Sequence, residues 1–267
     1  MTRVGFIGAG RMGGPMISRL IGAGHPVRGL ARSEEKRSAI AALGATAVTG
    51  LPATAEAADV VIVCVFTDEQ VQQVCLETDL IAAMPRGSTL VLHTTGSPRT
   101  AEVIAARGQD AGVDVVDAPV SGGPHDIAAG HVTVFAGGTD AAVARVTPVI
   151  AAYGDPILPV GPIGTGQRVK LVNNTLFASQ IGLLVEAVKL AKSLGVPEAA
   201  LLAALPHGSG ASRALGGVVT RGSVEKFIET AGSFVGKDVD VVRKISAELG
   251  ADLGVLDDIV NTWLGGV

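Results

Sequence analysis

The sequence predicts an α/β protein, with an N-terminal doubly wound parallel sheet followed by a smaller all-α domain. Three observations carry this. A glycine-rich turn, Gly8-Ala9-Gly10-Arg11-Met12-Gly13, directly follows a short apolar segment and opens a helical one. Strand-like and helix-like segments then alternate as far as residue 161. Beyond that point the strand signals stop, and a stretch of about 30 residues reads as a single helix.

Taken in order, Arg3 to Ile7 forms the first strand, and the helix after the glycines runs from about Met12 to Ala23. Pro26 to Leu30 forms a second strand, and Ser33 or Glu34 opens a second helix reaching Leu43. Asp59 to Phe66 is a nearly unbroken apolar, largely β-branched run, the pattern of a strand covered on both faces in a parallel sheet. Thr89 to His93, Asp114 to Ala118 and Val132 to Ala136 add further strands, with helical segments or turns between them. Thr165 to Leu194 contains no proline and reads as one helix of about 45 Å at 1.5 Å per residue. Gly195 stops it, and Pro197 sits where the next helix begins. Val196 to Leu205, Val224 to Leu249 and Leu256 to Leu264 also read as helices. The expected domains are therefore residues 1–161 and 162–267.

At 48% hydrophobic and 17% charged, the 267 residues suffice for a sizeable core. A net charge of -4 gives no basic footprint for nucleic acid or anionic membranes. Cys64 and Cys75 make neither a disulfide framework nor a metal cluster, and are expected as reduced thiols. Glycines interrupt any apolar leader at the N-terminus, and the longest apolar run, Val60 to Phe66, is far too short to span a bilayer. A soluble cytoplasmic protein is expected. The long helix is apolar on nearly every face, at Val169, Leu171, Val172, Leu176, Phe177, Ile181, Leu184, Val185 and Val188. Such a helix needs cover all round, which predicts a homodimer or homotetramer.

The glycine pattern has a physical reading. The first glycine permits the tight turn, the second lets backbone approach a pyrophosphate, and the third allows close helix–strand packing. Free N–H groups at the helix start then meet the phosphates. On its own the pattern is also that of any glycine-rich turn. Its place at the opening of a βαβ unit makes it the mark of a dinucleotide-binding Rossmann domain. Where an NAD-binding domain carries an acid after its second strand, this chain has Leu30-Ala31-Arg32-Ser33. Arg32, with Ser33 and Lys36 beside it, suits a 2′-phosphate, so NADP is expected, with NAD the alternative. A solvated arginine at a helix start is the plainer account.

Three further runs make the reading specific. Gly8 to Met16, Asp117-Ala118-Pro119-Val120-Ser121-Gly122-Gly123, and Gly164 to Asn174 with the later Lys237-Asp238 resemble, in order, the motifs of the β-hydroxyacid dehydrogenase family. The resemblance spans most of the chain. It implies Lys170 as general acid/base and Asn174 as the group orienting substrate. It implies that Ser121, Gly122 and Gly123 hold a substrate carboxylate. Gly8, Ala9, Gly10, Arg11 and Met12 would hold the cofactor phosphates, with Thr95 by the nicotinamide ribose. Val65, Phe66 and Thr67 would border the cofactor, and Lys237 would lie near its nicotinamide end.

Residue chemistry agrees with those roles. Lys170 and Asn174 are four apart and share a helical face. A lysine among apolar neighbours is expected to have a lowered pKa, fit to take a hydroxyl proton as hydride leaves the adjacent carbon; a snorkelling lysine is the bland alternative. Ser121-Gly122-Gly123 offers N–H groups and a hydroxyl as a carboxylate cradle, or else an ordinary turn. Pro124, His125 and Asp126 replace the small residues common after this motif, and His125 reads equally as a substrate contact or a surface residue. Thr94-Thr95 replaces the more usual Ser-Thr. The chain ends soon after Trp263, short for the family, which leaves the closing helix of the pocket undefined. Two rival functions share this architecture: an imine reductase, which commonly lacks the lysine, and a dinucleotide-binding sensor without turnover.

Overall fold

The computed structural model describes residues 1–264. The chain divides into two compact units, Met1–Lys170 and Leu171 onward.

The first unit is the doubly wound sheet. Strands β1 (Val4–Ile7), β2 (Val27–Leu30), β3 (Thr46–Val48), β4 (Val60–Val63), β5 (Thr89–Leu92) and β6 (Asp114–Asp117) run parallel in the order 3-2-1-4-5-6. Strand β8 (Val132–Gly137) continues the sheet antiparallel to β6, flanked by the short β7 (Val120–Ser121) and by β9 (Gly154–Gly161). Side chains alternate across this sheet and both sides are covered. Phe6, Ile62, Val91 and Val116 face one core with helices α1 (Gly13–Gly22), α2 (Glu34–Ala42), α7 (Pro124–Ala129) and α8 (Asp140–Ile150). Ile7, Val61, Leu90 and Val115 face the other with α3 (Leu51–Ala55), α4 (Asp68–Leu76), α5 (Leu80–Ala83) and α6 (Pro98–Ala111). Period-2 side chains buried on both faces explain why these strands read as unbroken apolar runs.

The register sets up the site. Ile7, Val63, Leu92 and Asp117 pair in one row across four parallel strands. The residues just beyond them, Gly8, Cys64, His93 and Ala118, therefore share one carboxyl edge, where the strand order turns back between β1 and β4. Ligands of open α/β sheets bind at such a switch point.

The strand expected over Asp59 to Phe66 stops at Val63, and Phe66 is 65% exposed. Strands β3, β7 and β9 were not expected. Pro156 and Pro159 hid β9, which tolerates them because it pairs on one side only.

The second unit is helical: the rest of α9 (Thr165–Ser193), then α10 (Glu198–Ala204), α11 (Arg213–Arg221), α12 (Val224–Glu248) and α13 (Val255–Leu264). Helix α11 escaped the sequence reading because two glycines interrupt it. Ala178, Ile181 and Leu184 of α9 pack with Leu202, Leu215, Phe227, Val239 and Trp263. The Trp263 indole donates to the Ala178 carbonyl at 3.0 Å. A Cβ at Gly182 would run into the Ile259 carbonyl, so α9 and α13 approach closely. Other apolar residues of α9 are left outside: Val172, Leu176, Leu183 and Leu190 are all about half exposed or more. Among the described residues α9 is long and apolar enough to cross a membrane, with 44% of the relevant window buried within the fold. The longest unbroken apolar run, Val60 to Phe66, gave no sign of this, because apolarity spread along a helix does not appear as a run.

Candidate active site

At the β1–α1 turn the backbone does the work. Gly8 holds φ +107, and a Cβ there would strike the Cys64 carbonyl, while a Cβ on Gly13 would strike the Gly8 carbonyl. Gly10 faces open space. Helix α1 has no side-chain cap at Met12 and no acid in its first turn; of the amides in this turn, Gly10 N and Gly14 N donate to the Gly8 and Gly10 carbonyls. Ala9 and Met12 are half-buried, whereas Arg11 is exposed. After β2, Arg32 and Ser33 are exposed, and the Ser33 Oγ accepts from Lys36 N at 3.2 Å as the α2 cap. Its hydroxyl proton is not used by that bond.

The next two loops are stitched together. Thr94 Oγ1 accepts from Val65 N and donates to Val65 O, both at 3.0 Å. Phe66 N donates to Gln70 Oε1 at 2.9 Å, and Thr67 caps α4. Asp68 accepts from Ser97 N at 3.1 Å and from the Thr100 hydroxyl at 2.7 Å. Thr95 is half-buried in the middle of this arrangement.

Below the carboxyl edge lies a buried polar strut that the sequence reading missed. His93 contacts Ala118 O through Nδ1 at 2.6 Å and the Tyr153 hydroxyl through Nε2 at 2.7 Å. A carbonyl only accepts, so Nδ1 carries the proton and Nε2 accepts from Tyr153. Burial holds the imidazole down to about 4, keeping it neutral. Asp117, fully buried, accepts from Gly164 N and Gln167 N at 2.7 Å each, where α9 begins. Burial pushes its carboxyl up to about 7 against the pull of those amides.

The Ser121–Gly123 turn differs from expectation. Gly122 holds φ +138, but Gly123 N donates to Asp126 Oδ2 at 2.7 Å, so this amide is already engaged. Neighbouring His125 has its side chain 86% exposed. On α9, Gln167, Lys170 and Asn174 fall at i, i+3 and i+7 and are 2%, 8% and 6% exposed. Among the described residues Asn174 Nδ2 finds no hydrogen-bond partner. Glu186, further along, pairs with Lys189 at 2.7 Å.

In the first unit Gly8–Met12, Arg32 with Ser33, Val65–Thr67 and Thr95 follow the carboxyl ends of β1, β2, β4 and β5, and Ser121–Gly123 lies at the end of β7. Lys237 belongs to the second unit, on α12, where burial lowers its pKa against the raising effect of Asp238. Gln167 carried one usable signal in the sequence: a long amide three residues before a helical lysine, on the same face.

Residues 3–161 match the family described as the NAD binding domain of 6-phosphogluconate dehydrogenase. Residues 164–264 match that described as NAD-binding of NADP-dependent 3-hydroxyisobutyrate dehydrogenase. The NAD-dependent L-serine dehydrogenase of Pseudomonas aeruginosa is 33% identical over 216 residues, covering 80% of this chain and 72% of that protein. The solved structure of Mycobacterium tuberculosis 3-hydroxyisobutyrate dehydrogenase with L-serine is 28% identical, with a TM-score of 0.87 over 98% of this chain and 92% of that one. An imine reductase from Pseudomonas sp. shares the fold at a TM-score of 0.69 and 21% identity, over 99% of this chain and 91% of that one.

Proposed function

This chain belongs to the β-hydroxyacid dehydrogenase family, and from that premise we propose that it moves hydride between NADP(H) and a small 3-hydroxy acid or its semialdehyde, with Lys170 handling the proton. Membership makes it a nicotinamide-dependent hydroxyacid dehydrogenase. The observation that carries the finer reading is the buried polar face of α9, where Lys170 and Asn174 are withdrawn from water. A buried amide without a partner is costly, so the orphaned Asn174 Nδ2 supports a substrate oxygen as its acceptor.

The β1–α1 turn fits a dinucleotide: no side-chain cap on α1, no acid in its first turn, open space at Gly10, and Arg32 in place of an acid. When bound, the nicotinamide supplies the two-electron acceptor or donor for the carbinol carbon. The chain's own groups do the rest. Amides around Gly8 to Met12 hold the pyrophosphate, and Arg32 with the Ser33 hydroxyl grips the 2′-phosphate. Val65, Phe66, Thr67 and Thr95 border the nicotinamide half, with Lys237 assigned to the same end. Lys170 Nζ accepts the hydroxyl proton in oxidation and returns it to the carbonyl oxygen in reduction, while Asn174 Nδ2 orients that oxygen. Ser121 and Gly122 hold the carboxylate, since Asp126 already takes the Gly123 amide.

Lys170→Ala tests this reading. Turnover should fall about 10²–10⁴-fold while NADPH fluorescence still reports binding. Lys170→Arg should fail too, because a guanidinium does not release its proton. Near-normal turnover in Lys170→Ala would overturn the assignment and favour imine reduction on the same fold. The apolar stripe Val172, Leu176, Leu183 and Leu190 further supports a homo-oligomer that buries α9, which light scattering reads directly.

A further inference from the structure

We propose that Gln167 is a positioning residue that ties the first turns of α9 to the Thr94–Gly96 loop and so sets where Lys170 stands. The proposal rests on the dehydrogenase reading above. Gln167 uses its side-chain amide in both senses: Nε2 donates to Thr94 O and Oε1 accepts from Gly96 N, each at 2.9 Å. Its own backbone N–H goes to Asp117. These bonds bridge 73, 71 and 50 positions of sequence, so they join segments that nothing local holds together.

The loop that Gln167 grips has no slack. A Cβ on Gly96 would run into the Asp68 carboxylate, Ser97 N is held by the same carboxylate, and Thr94 is bonded to Val65. The helix start is equally confined, since a Cβ on Gly166 would strike the Asp117 and Phe135 carbonyls. Between two fixed bodies, the Gln167 amide is the adjustable spacer. Its length and its donor–acceptor pair are specific: Glu lacks the donor, Asn is a methylene short, and Met has neither group. Lys170 lies three residues on and on the same face, so any shift of Gln167 is transmitted to the lysine one turn away. Misplacing a reacting group by about 1 Å can cost on the order of 10² in rate.

The test uses the full chain with Gln167→Met, Gln167→Glu and Gln167→Asn. It measures kcat on the best 3-hydroxy acid, the primary isotope effect with substrate deuterated at the carbinol carbon, NADPH affinity and Tm. Gln167→Met should lose about 10- to 100-fold in kcat at a temperature where it is fully folded. NADPH affinity should stay within about threefold, and the isotope effect on kcat should rise as hydride transfer becomes limiting. A merely structural amide would lower Tm and leave the kcat of folded enzyme and its isotope effect alone. Folded Gln167→Met with unreduced kcat, or a loss seen only in NADPH affinity, overturns the proposal. Should Gln167→Met not fold, Gln167→Asn and Gln167→Glu carry the same expectation of reduced kcat, and wild-type kcat in either, once folded, overturns it. A wild type that turns over no hydroxy acid overturns the dehydrogenase reading and this proposal with it. An active wild type beside an equally active Gln167→Met overturns this proposal alone.

Discussion

The β1–α1 turn offers a ligand backbone, whereas the start of α9 offers side chains. In the turn, Gly8 and Gly13 are required because any Cβ would meet a carbonyl, and the helix above them has no side-chain cap. At α9 the polar groups are buried side-chain amides and the Lys170 amino group on one face, registered by Asp117 and Gln167. The Ser121–Gly123 turn stands between the two. It has the glycines of the first region, but Asp126 satisfies one of its amides as a side chain would in the second. A backbone site fails when atoms are added, and a side-chain site fails when they are removed or moved. The two regions should therefore break independently, one through affinity and the other through turnover or stability.

The largest effect expected from the buried polar strut concerns pH. His93 sits at about 4 in the fold against 6.5 when free, so its folded pKa is depressed. Between those values the unfolded chain binds a proton that the folded chain does not. Stability contributed by neutral His93 is thus present above pH 6.5 and lost as pH falls toward 4, by about 3 kcal/mol. Asp117 works the other way: its raised carboxyl contributes stability present below 3.8 and lost as pH rises through about 7. The wild-type profile mixes the two, so the difference between variants is the readout. In urea unfolding, the advantage of wild type over His93→Gln at pH 7 should shrink steadily by pH 4. A constant gap would contradict a buried neutral imidazole.

Gly13→Val comes next, and strikes the backbone region. Overpacking of about 1–3 kcal/mol against the Gly8 carbonyl should weaken NADPH by roughly 10- to 100-fold. NADH should suffer equally, because the pyrophosphate is common to both. Arg32→Ala sharpens the comparison from the same region with a side chain. About 1.5–3 kcal/mol of charge-assisted bonding is at stake, so NADPH should weaken about tenfold to a hundredfold while NADH is spared. Parallel losses for both cofactors, seen by fluorescence titration, would remove the 2′-phosphate role.

Much of the backbone region was legible in the sequence, because glycine spacing and strand-buried runs leave marks in one dimension. Gly8 to Gly13 and the β4 run announced the parallel sheet and its dinucleotide turn. The edge strands did not: Pro156 and Pro159 masked β9, and Val120–Ser121 is too short to show a period. Lys170 and Asn174 could be paired by helical spacing alone. Their supports could not, since His93 with Tyr153 and Gln167 with Thr94 are bonds across 60 and 73 positions. Asp126 was noticed as a departure, yet its bond to the Gly123 amide only appears once α7 turns it back.

The most direct measurement of the central claim is nicotinamide absorbance with wild-type protein and a panel of small 3-hydroxy acids, their methyl esters and simple imines, each with both cofactors. The account predicts turnover of free acids with NADP ahead of NAD, and loss of most turnover on esterification. Esters turned over as fast as acids, or imines reduced while every hydroxy acid stays inert, would contradict it.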